Sequence, residues 1–243
     1  MRKTYTILGL IAAVVLAVYY FMPKYYFEEP VFPLPTGATV IAYDDIADGG
    51  ESAVEFKMGE DALHFSCQLG ADTSKAAWCG LLWNLDSAST HLYKNWTFVD
   101  TLVFDVEVHG TREVLVKLWT FDPDVTDIKK PRTFRLLMKE LPLREGRQRV
   151  AIPVEHLYTP EFWYENAKAD PELTQRHMEA AARLEIAPGW NQSRGSKFSV
   201  TFYSVTARGM SNIAFGIVLG IFLVLTIVAV GRRHKILNDE QKK

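Results

Sequence analysis

Seven residues in this chain have the chemistry to hold a polyhydroxylated ligand. Trp78, Trp119 and Tyr203 carry flat rings, Asp105 and Glu107 carry acceptors, and Lys117 and Arg135 carry charged donors. Aromatic faces stack on the apolar faces of sugar rings, while carboxylate, ammonium and guanidinium groups fix hydroxyls. Most of the seven sit in strand-like runs, where successive side chains point to opposite faces. In 112–121, Leu115, Lys117, Trp119 and Phe121 oppose Val114, Val116 and Leu118. In 98–107, Thr101, Val103, Asp105 and Glu107 oppose Leu102, Phe104 and Val106. In 132–138, Arg135 and Leu137 oppose Phe134, Leu136 and Met138, and in 197–205, Ser199, Thr201 and Tyr203 oppose Phe198, Val200 and Phe202. The apolar sets belong between packed sheets. The others are expected to form one outward face that mixes aromatic rings with charge. In "AAWCGLLWNLD" (76–86), Trp83 shares its face with Cys79 and Leu81 and is expected in the core, which turns Trp78 outward. The mixed face has a second reading, a solvated surface laced with cross-strand ion pairs. Both readings stand at this point.

Other chemistry finds little purchase. The chain contains no G-x-S-x-G, H-E-x-x-H, phosphate-cradling glycine loop or C-x-x-C. Its six histidines are isolated, and carboxylate pairs such as Asp44/Asp45 and Asp122/Asp124 look like turn residues. No catalytic residue is assigned and no enzyme is expected. The one candidate cofactor is a structural calcium at "DDIADGG", held by Asp44, Asp45 and Asp48, since clustered carboxylates and turn carbonyls suit a hard cation. The formal net charge of −2, with scattered basic residues, argues against nucleic-acid binding.

The elements that must position these residues are short strands: 38–45, 52–59, 61–69, 76–85, 97–108, 113–121, 133–141, 148–154 and 197–207. Turn residues between them at this spacing predict a β-sandwich. Cys67 and Cys79 fall on consecutive strands joined by "GADTSK", and a hairpin there would set them face to face as a disulfide, the alternative being two buried free thiols. "KADPELTQRHMEAAARLEI" predicts a helical insertion with Asp170 as N-cap, Pro171 at the first helical position, and Leu173, His177, Ala180 and Leu184 on one face. "PKYYFEEPVFPLPTG" (23–37) reads as a stiff Pro-rich spacer.

Two apolar stretches flank the strands. Residues 4–22 and 211–230 are each near the length a helix needs to cross the hydrocarbon core. Arg2 and Lys3 precede the first, and Arg232, Arg233 and Lys235 follow the second. The positive-inside rule then places both termini in the cytoplasm: 1–3 and a short basic tail (231–243) inside, residues 24–210 outside, in a two-pass protein of the cytoplasmic membrane. Gly9 with Ala13, and Gly216 with Gly220, are spaced one turn apart and predict a packed helix pair or a homodimer.

With these residues in view, the stretch 38–208 resembles a known architecture. "YDDIADGG", the Trp-Cys-Gly strand, "FVDTLVFDVEV" followed by "EVLVKLWTF", and the final "KFSVTFYSV" look like the galactose-binding-like jelly roll. Within that architecture the stretch resembles certain β-glucan-binding carbohydrate modules and the domain of complex I assembly-factor proteins. The resemblance implies a jelly-roll sandwich whose concave sheet face takes glycans, and this chain departs from it in its helical insertion and membrane anchors. Two functions follow as expectations. In one, a membrane-anchored sensory module binds a glycan or envelope ligand and signals through a membrane partner. In the other, a structural or assembly subunit of an envelope complex docks protein on the sandwich.

Overall fold

The computed structural model describes residues 2–21, 26–85, 92–210 and 213–240. His91 and the side chains of Arg2, Lys3 and Lys235, which entered the orientation argument, lie outside the described residues. The chain divides into two units, residues 28–209 and the pair of terminal segments 1–27 and 210–243.

The first unit is a two-sheet β-sandwich. In chain order its strands are β1 (Tyr26–Phe32), β2 (Thr39–Asp44), β3 (Ala53–Met58), β4 (Leu63–Gln68), β5 (Cys79–Asn84), β6 (Thr101–His109), β7 (Glu113–Thr120), β8 (Arg135–Pro142), β9 (Gly146–Pro153), β10 (Ala181–Pro188) and β11 (Lys197–Met210). One sheet has the order β3-β4-β11-β6-β9, with β1 also pairing β11; the other runs β2-β5-β10-β7-β8. The chain steps between the sheets repeatedly, so residues close in sequence often belong to opposite layers.

Period-2 alternation fills the space between the layers. Phe65, Cys67, Phe104, Val106, Phe198 and Phe202 from one sheet meet Cys79, Leu81, Trp83, Val116, Leu118 and Leu184 from the other, all buried. Trp83 packs edge-on against Phe202, ring centroids 5.2 Å apart. A bulge between Phe202 and Ser204 shifts the register of β11, which returns Val205 and Ala207 to the interior.

Three expectations about elements change here. Residues 26–32 of the expected spacer form β1, a strand that pairs with β11, so the backbone groups of this Pro-containing run are used in the sandwich. The helix expected over 170–184 does not form. The helix of this region is α2 (Glu161–Ala167), and 181–188 is β10, paired with β5 on one side and β7 on the other. Two ladders outweigh the helix propensity of the Glu-Ala-Ala-Ala-Arg-Leu run. His177 sits at a left-handed φ of 50°, and Leu173, His177, Ala180 and Leu184 share no helical face. Finally, Cys67 and Cys79 are disulfide-bonded, Cα–Cα 6.4 Å, but no hairpin joins them. β4 and β5 lie in different sheets, so the bond crosses the sandwich interior.

The second unit contains α1 (Arg2–Phe21) and α3 (Ile213–Glu240). Among the described residues one helix, Ile213–Arg233, is long and apolar enough to cross a membrane; the apolar part of α1, Tyr5–Phe21, is shorter. At ~1.5 Å per residue that part spans about 25 Å against a hydrocarbon core of roughly 30 Å, and the expected two-pass topology is not supported. The helices touch where Tyr19 meets Phe215, ring centroids 6.4 Å apart. The glycines do not mediate this pairing: a Cβ at Gly9, Gly216 or Gly220 would meet nothing within 4 Å, and Ala13 is exposed. The less exposed residues Leu8, Ala12 and Val15 of α1, with Ala214, Val218 and Leu225 of α3, mark the facing sides.

Candidate functional site

The outward face of the five-stranded sheet is built by register. Directly opposed residues share a face, so Tyr43 lies beside Gly80, Leu82 beside Glu185, Glu185 beside Lys117, and Trp119 beside Leu136. The helix α2 folds over one side of this face. Its Trp163 is buried in a cluster with Leu115, Leu136, Met138 and Ala187, and the indole N–H donates to the Phe134 carbonyl at 2.6 Å. Phe162, Trp163 and Asn166 thereby become a wall.

Between that wall and the tip of β5 lies a cleft of about 510 Å³ lined by Tyr43, Trp78, Trp119, Arg132, Leu136, Phe162, Trp163, Asn166 and Glu185. At its base is Glu185, only 5% exposed and surrounded by donors. Oε1 accepts from the Lys117 ammonium at 2.7 Å and from the Tyr43 hydroxyl in a short hydrogen bond. Oε2 accepts from the Trp119 indole N–H at 2.6 Å. One carboxylate therefore fixes a phenol, an indole and an ammonium. Burial, followed by the adjacent carboxylate, pushes the Tyr43 phenol well above its ordinary range, so it stays a donor.

Two local features hold the aromatic rim. Gly80 leaves room for the Tyr43 ring, since a Cβ there would lie 2.2 Å from the Tyr43 oxygen. Trp78, just before β5, leans on Tyr43 with centroids 5.6 Å apart, and its backbone N–H donates to Asp45 Oδ2 at 2.7 Å. The same Asp45, fully buried, accepts from the Ser52 N–H at 2.9 Å and the Ser52 hydroxyl at 2.6 Å. Burial by itself would raise the Asp45 carboxyl, but the Ser52 hydroxyl and the N–H groups of Trp78 and Ser52 outweigh it and hold it below its usual value.

That geometry revises the calcium expectation for Asp44, Asp45 and Asp48. Asp45 spends its oxygens on protein donors, Asp44 Oδ1 accepts from the Ile46 N–H at 3.2 Å, and Asp48 faces Arg132 at 4.0 Å. Among the described residues no group of three or more metal-ligating side chains occurs. The acidic turn is a hydrogen-bonded loop organiser.

The seven candidate ligand residues do not share one face. Trp78 and Trp119 line the cleft, and Lys117 reaches it through Glu185. Tyr203, Asp105 and Glu107 belong to β11 and β6, hence to the other sheet. There they form the ion-pair lattice of the alternative reading. Arg147 grips Asp105 at 2.9 and 3.1 Å, its guanidinium lies 3.8 Å from the Tyr203 ring centre, and the Tyr203 hydroxyl donates to Glu107 at 2.7 Å. Arg135 departs further. It is 1% exposed, donates to Asp122 Oδ2 at 2.9 and 2.7 Å and to the Leu173 carbonyl at 3.0 Å, and lies 4.7 Å from the Trp163 ring centre. It supports the wall from beneath and cannot reach a ligand. The face assignment of β8 is inverted as well, since Leu136 and Met138 sit outward under α2.

Tyr43, Glu185, Phe162, Asn166 and Arg132 were not anticipated. Glu185 carries a legible signal, an acidic residue alternating with Leu184 and Ile186, but the helix propensity of the preceding Glu-Ala-Ala-Ala-Arg run masks it. A larger cleft, about 590 Å³, is lined by polar residues including Thr111, Arg112, Glu145, Asn191 and Gln192 and has no aromatic ring in its wall. Of these two clefts, the first combines flat apolar surface with fixed polar groups.

No protein-family model matches the sequence, and no curated sequence matches it. Solved structures resemble the chain in outline. A family 11 carbohydrate-binding module of a cellulosomal cellulase from Clostridium thermocellum has 9% identity over 76% of this chain and 95% of its own, with a TM-score of 0.49. The family 11 module from the same organism, solved in complex with a beta-1,3-1,4-mixed-linked tetrasaccharide, has 10% identity over 75% and 94%, with a TM-score of 0.48. A family 30 carbohydrate-binding module has 12% identity over 76% and 99%, with a TM-score of 0.46.

Proposed function

We propose that this chain is a membrane-held carbohydrate-binding protein and that a glycan lies in the cleft between Tyr43, Trp78 and Trp119. The observation that carries this reading is the buried Glu185 carboxylate, which pins the Trp119 indole and the Tyr43 phenol while Trp78 leans on Tyr43. Fixed rings lose little conformational entropy when a sugar stacks on them, so the surface is preorganised for binding. Trp119 spends its only N–H on Glu185 and offers its ring by contact alone. Arg132 and Asn166 at the rim supply donors for ring hydroxyls.

Helix α3, whose apolar span Ile213–Arg233 ends on the cationic 232–233 pair, anchors the sandwich. The sandwich faces the oxidising side, consistent with its disulfide. As an input module it passes glycan occupancy to a membrane partner.

The test is thermal unfolding of the full chain in detergent against a panel of soluble glycans, followed by tryptophan fluorescence. A ligand that binds the folded state raises the midpoint with concentration. One glycan class should do so, and Trp119→Ala should remove the rise while the unliganded chain, with a lower midpoint, still unfolds cooperatively. A flat response to every glycan, with a stably co-purifying protein, overturns this reading in favour of an assembly subunit.

A further inference from the structure

The cleft occupies one part of the outward face of the five-stranded sheet. Past the end of β10, the same face carries a second pair of rings. Trp190 is 60% exposed and Tyr158 is 43% exposed. Neither ring is loose. The Trp190 indole N–H donates to Glu140 Oε1 at 3.0 Å, and its backbone N–H donates to Glu113 Oε1 at 3.1 Å. The Tyr158 hydroxyl donates to the same Glu140 oxygen at 2.8 Å, while its backbone exchanges two bonds with Met138 at 2.8 and 2.9 Å. Gly189 lets the chain turn tightly over Glu113, because a Cβ there would lie 2.6 Å from the Glu113 carboxylate.

This arrangement repeats the chemistry of the cleft: a carboxylate that takes an indole N–H and a phenol O–H, holding both rings still. Here the rings remain open to solvent. An indole held through its N–H, on a backbone that is itself hydrogen-bonded, gives up side-chain entropy with little hydrophobic return when it is not buried. A flat ligand lying on it supplies that return.

We propose that Trp190 and Tyr158, set about Glu140, form a second glycan-stacking platform, so that the protein holds an extended carbohydrate chain rather than a single sugar. This rests on the reading of the cleft as a glycan site. Register gives the scale. Glu113, beneath Trp190, and Trp119, in the cleft, are the first and seventh residues of one run of β7, which at ~3.3 Å per residue places them about 20 Å apart. That is the reach of a short oligosaccharide. Glu140 Oε2, 4.0 Å from the Lys139 ammonium, remains to accept sugar hydroxyls beside the rings.

The experiment compares a disaccharide with a long oligosaccharide of the glycan class that stabilises the wild type, by calorimetric titration of the full chain in detergent. Trp190→Ala should weaken the long ligand about tenfold, the size of one lost stacking contact of ~1.4 kcal/mol, and leave the disaccharide unchanged. Trp190→Phe, which keeps a ring, should recover most of that affinity. Trp119→Ala should weaken both ligands. If Trp190→Ala leaves the long ligand unchanged, or weakens both alike, the second platform is refuted while the cleft stands. If neither ligand binds the wild type, the cleft reading fails and this one falls with it.

Discussion

Replacing Glu185 by Gln tests whether one buried carboxylate organises the cleft. The side chains of Glu185 and Lys117 are 7% and 19% exposed, with N–O 2.7 Å apart. At that distance and an effective dielectric of about 20, the direct attraction is roughly 6 kcal/mol, most of it offset by the desolvation of both ions. What the substitution exposes is the penalty of leaving the ammonium without its counter-ion, typically ~3–5 kcal/mol for a buried pair broken on one side. Lys117 retains some access to water, so the lower end, about 3 kcal/mol, is expected. Glutamine also turns an N–H₂ group either toward Trp119 or toward Tyr43 and Lys117 together, so either Trp119 or Tyr43 loses its acceptor. For a domain of this size, about 3 kcal/mol corresponds to a fall in Tm of roughly 9 °C. The assay is thermal unfolding of wild type, Glu185→Gln, Lys117→Met and the double variant at neutral pH. The double variant should recover much of the loss, because an uncharged pair leaves no stranded ion. A single-variant loss below ~1 kcal/mol, or strictly additive losses in the double variant, would refute the buried-clamp argument.

Two further outcomes follow from the residues that hold the rim. The Cys67–Cys79 bond closes a loop with a sequence separation of 12, which in the chain-entropy model stabilises the fold by about 3 kcal/mol. Cys67→Ser with Cys79→Ser should lower Tm by roughly 9 °C, and reducing agent should lower the wild type alone toward that value. Asp45 has a folded-state pKa below its unfolded value of about 3.9, so its stabilising contribution is complete above that pH and is lost as pH falls through the folded pKa. The stability gap between wild type and Asp45→Asn should be about 2 kcal/mol at neutral pH and should close as the solution is acidified below about pH 4. A gap that does not change with pH would show that the Asp45 charge contributes nothing.

Much of the architecture was legible because strand periodicity is local. β7 shows why: Val114, Val116 and Leu118 on one side, and Lys117 and Trp119 on the other, are enough to orient it, and the structure agrees. β10 was missed because its composition favours a helix; only its neighbours on both sides make it a strand. β1 is hidden because its proline-containing stretch has the composition of a spacer, whereas in the fold it adds to β11. The face of β8 was misread because both of its sides are apolar, one facing the core and the other facing α2.

The sequence by itself determined the β-sandwich, the outward placement of Trp78 and Trp119 and the inward placement of Trp83; the Cys67–Cys79 bond forms across the two sheets and not through the expected hairpin. Tertiary structure alone decided which outward residues meet. Alternation along a strand states that a side chain leaves the core, but it carries no information on which of two sheets the strand joins. Tyr203, Asp105 and Glu107 therefore fell on one layer and Trp119 and Lys117 on the other, although their patterns in the chain are the same. Glu185 meets Tyr43, Lys117 and Trp119 across sequence separations of 142, 68 and 66, and only the ladder order β2-β5-β10-β7 brings them together. Contacts of that range are set by the packing of whole sheets, which no local pattern encodes.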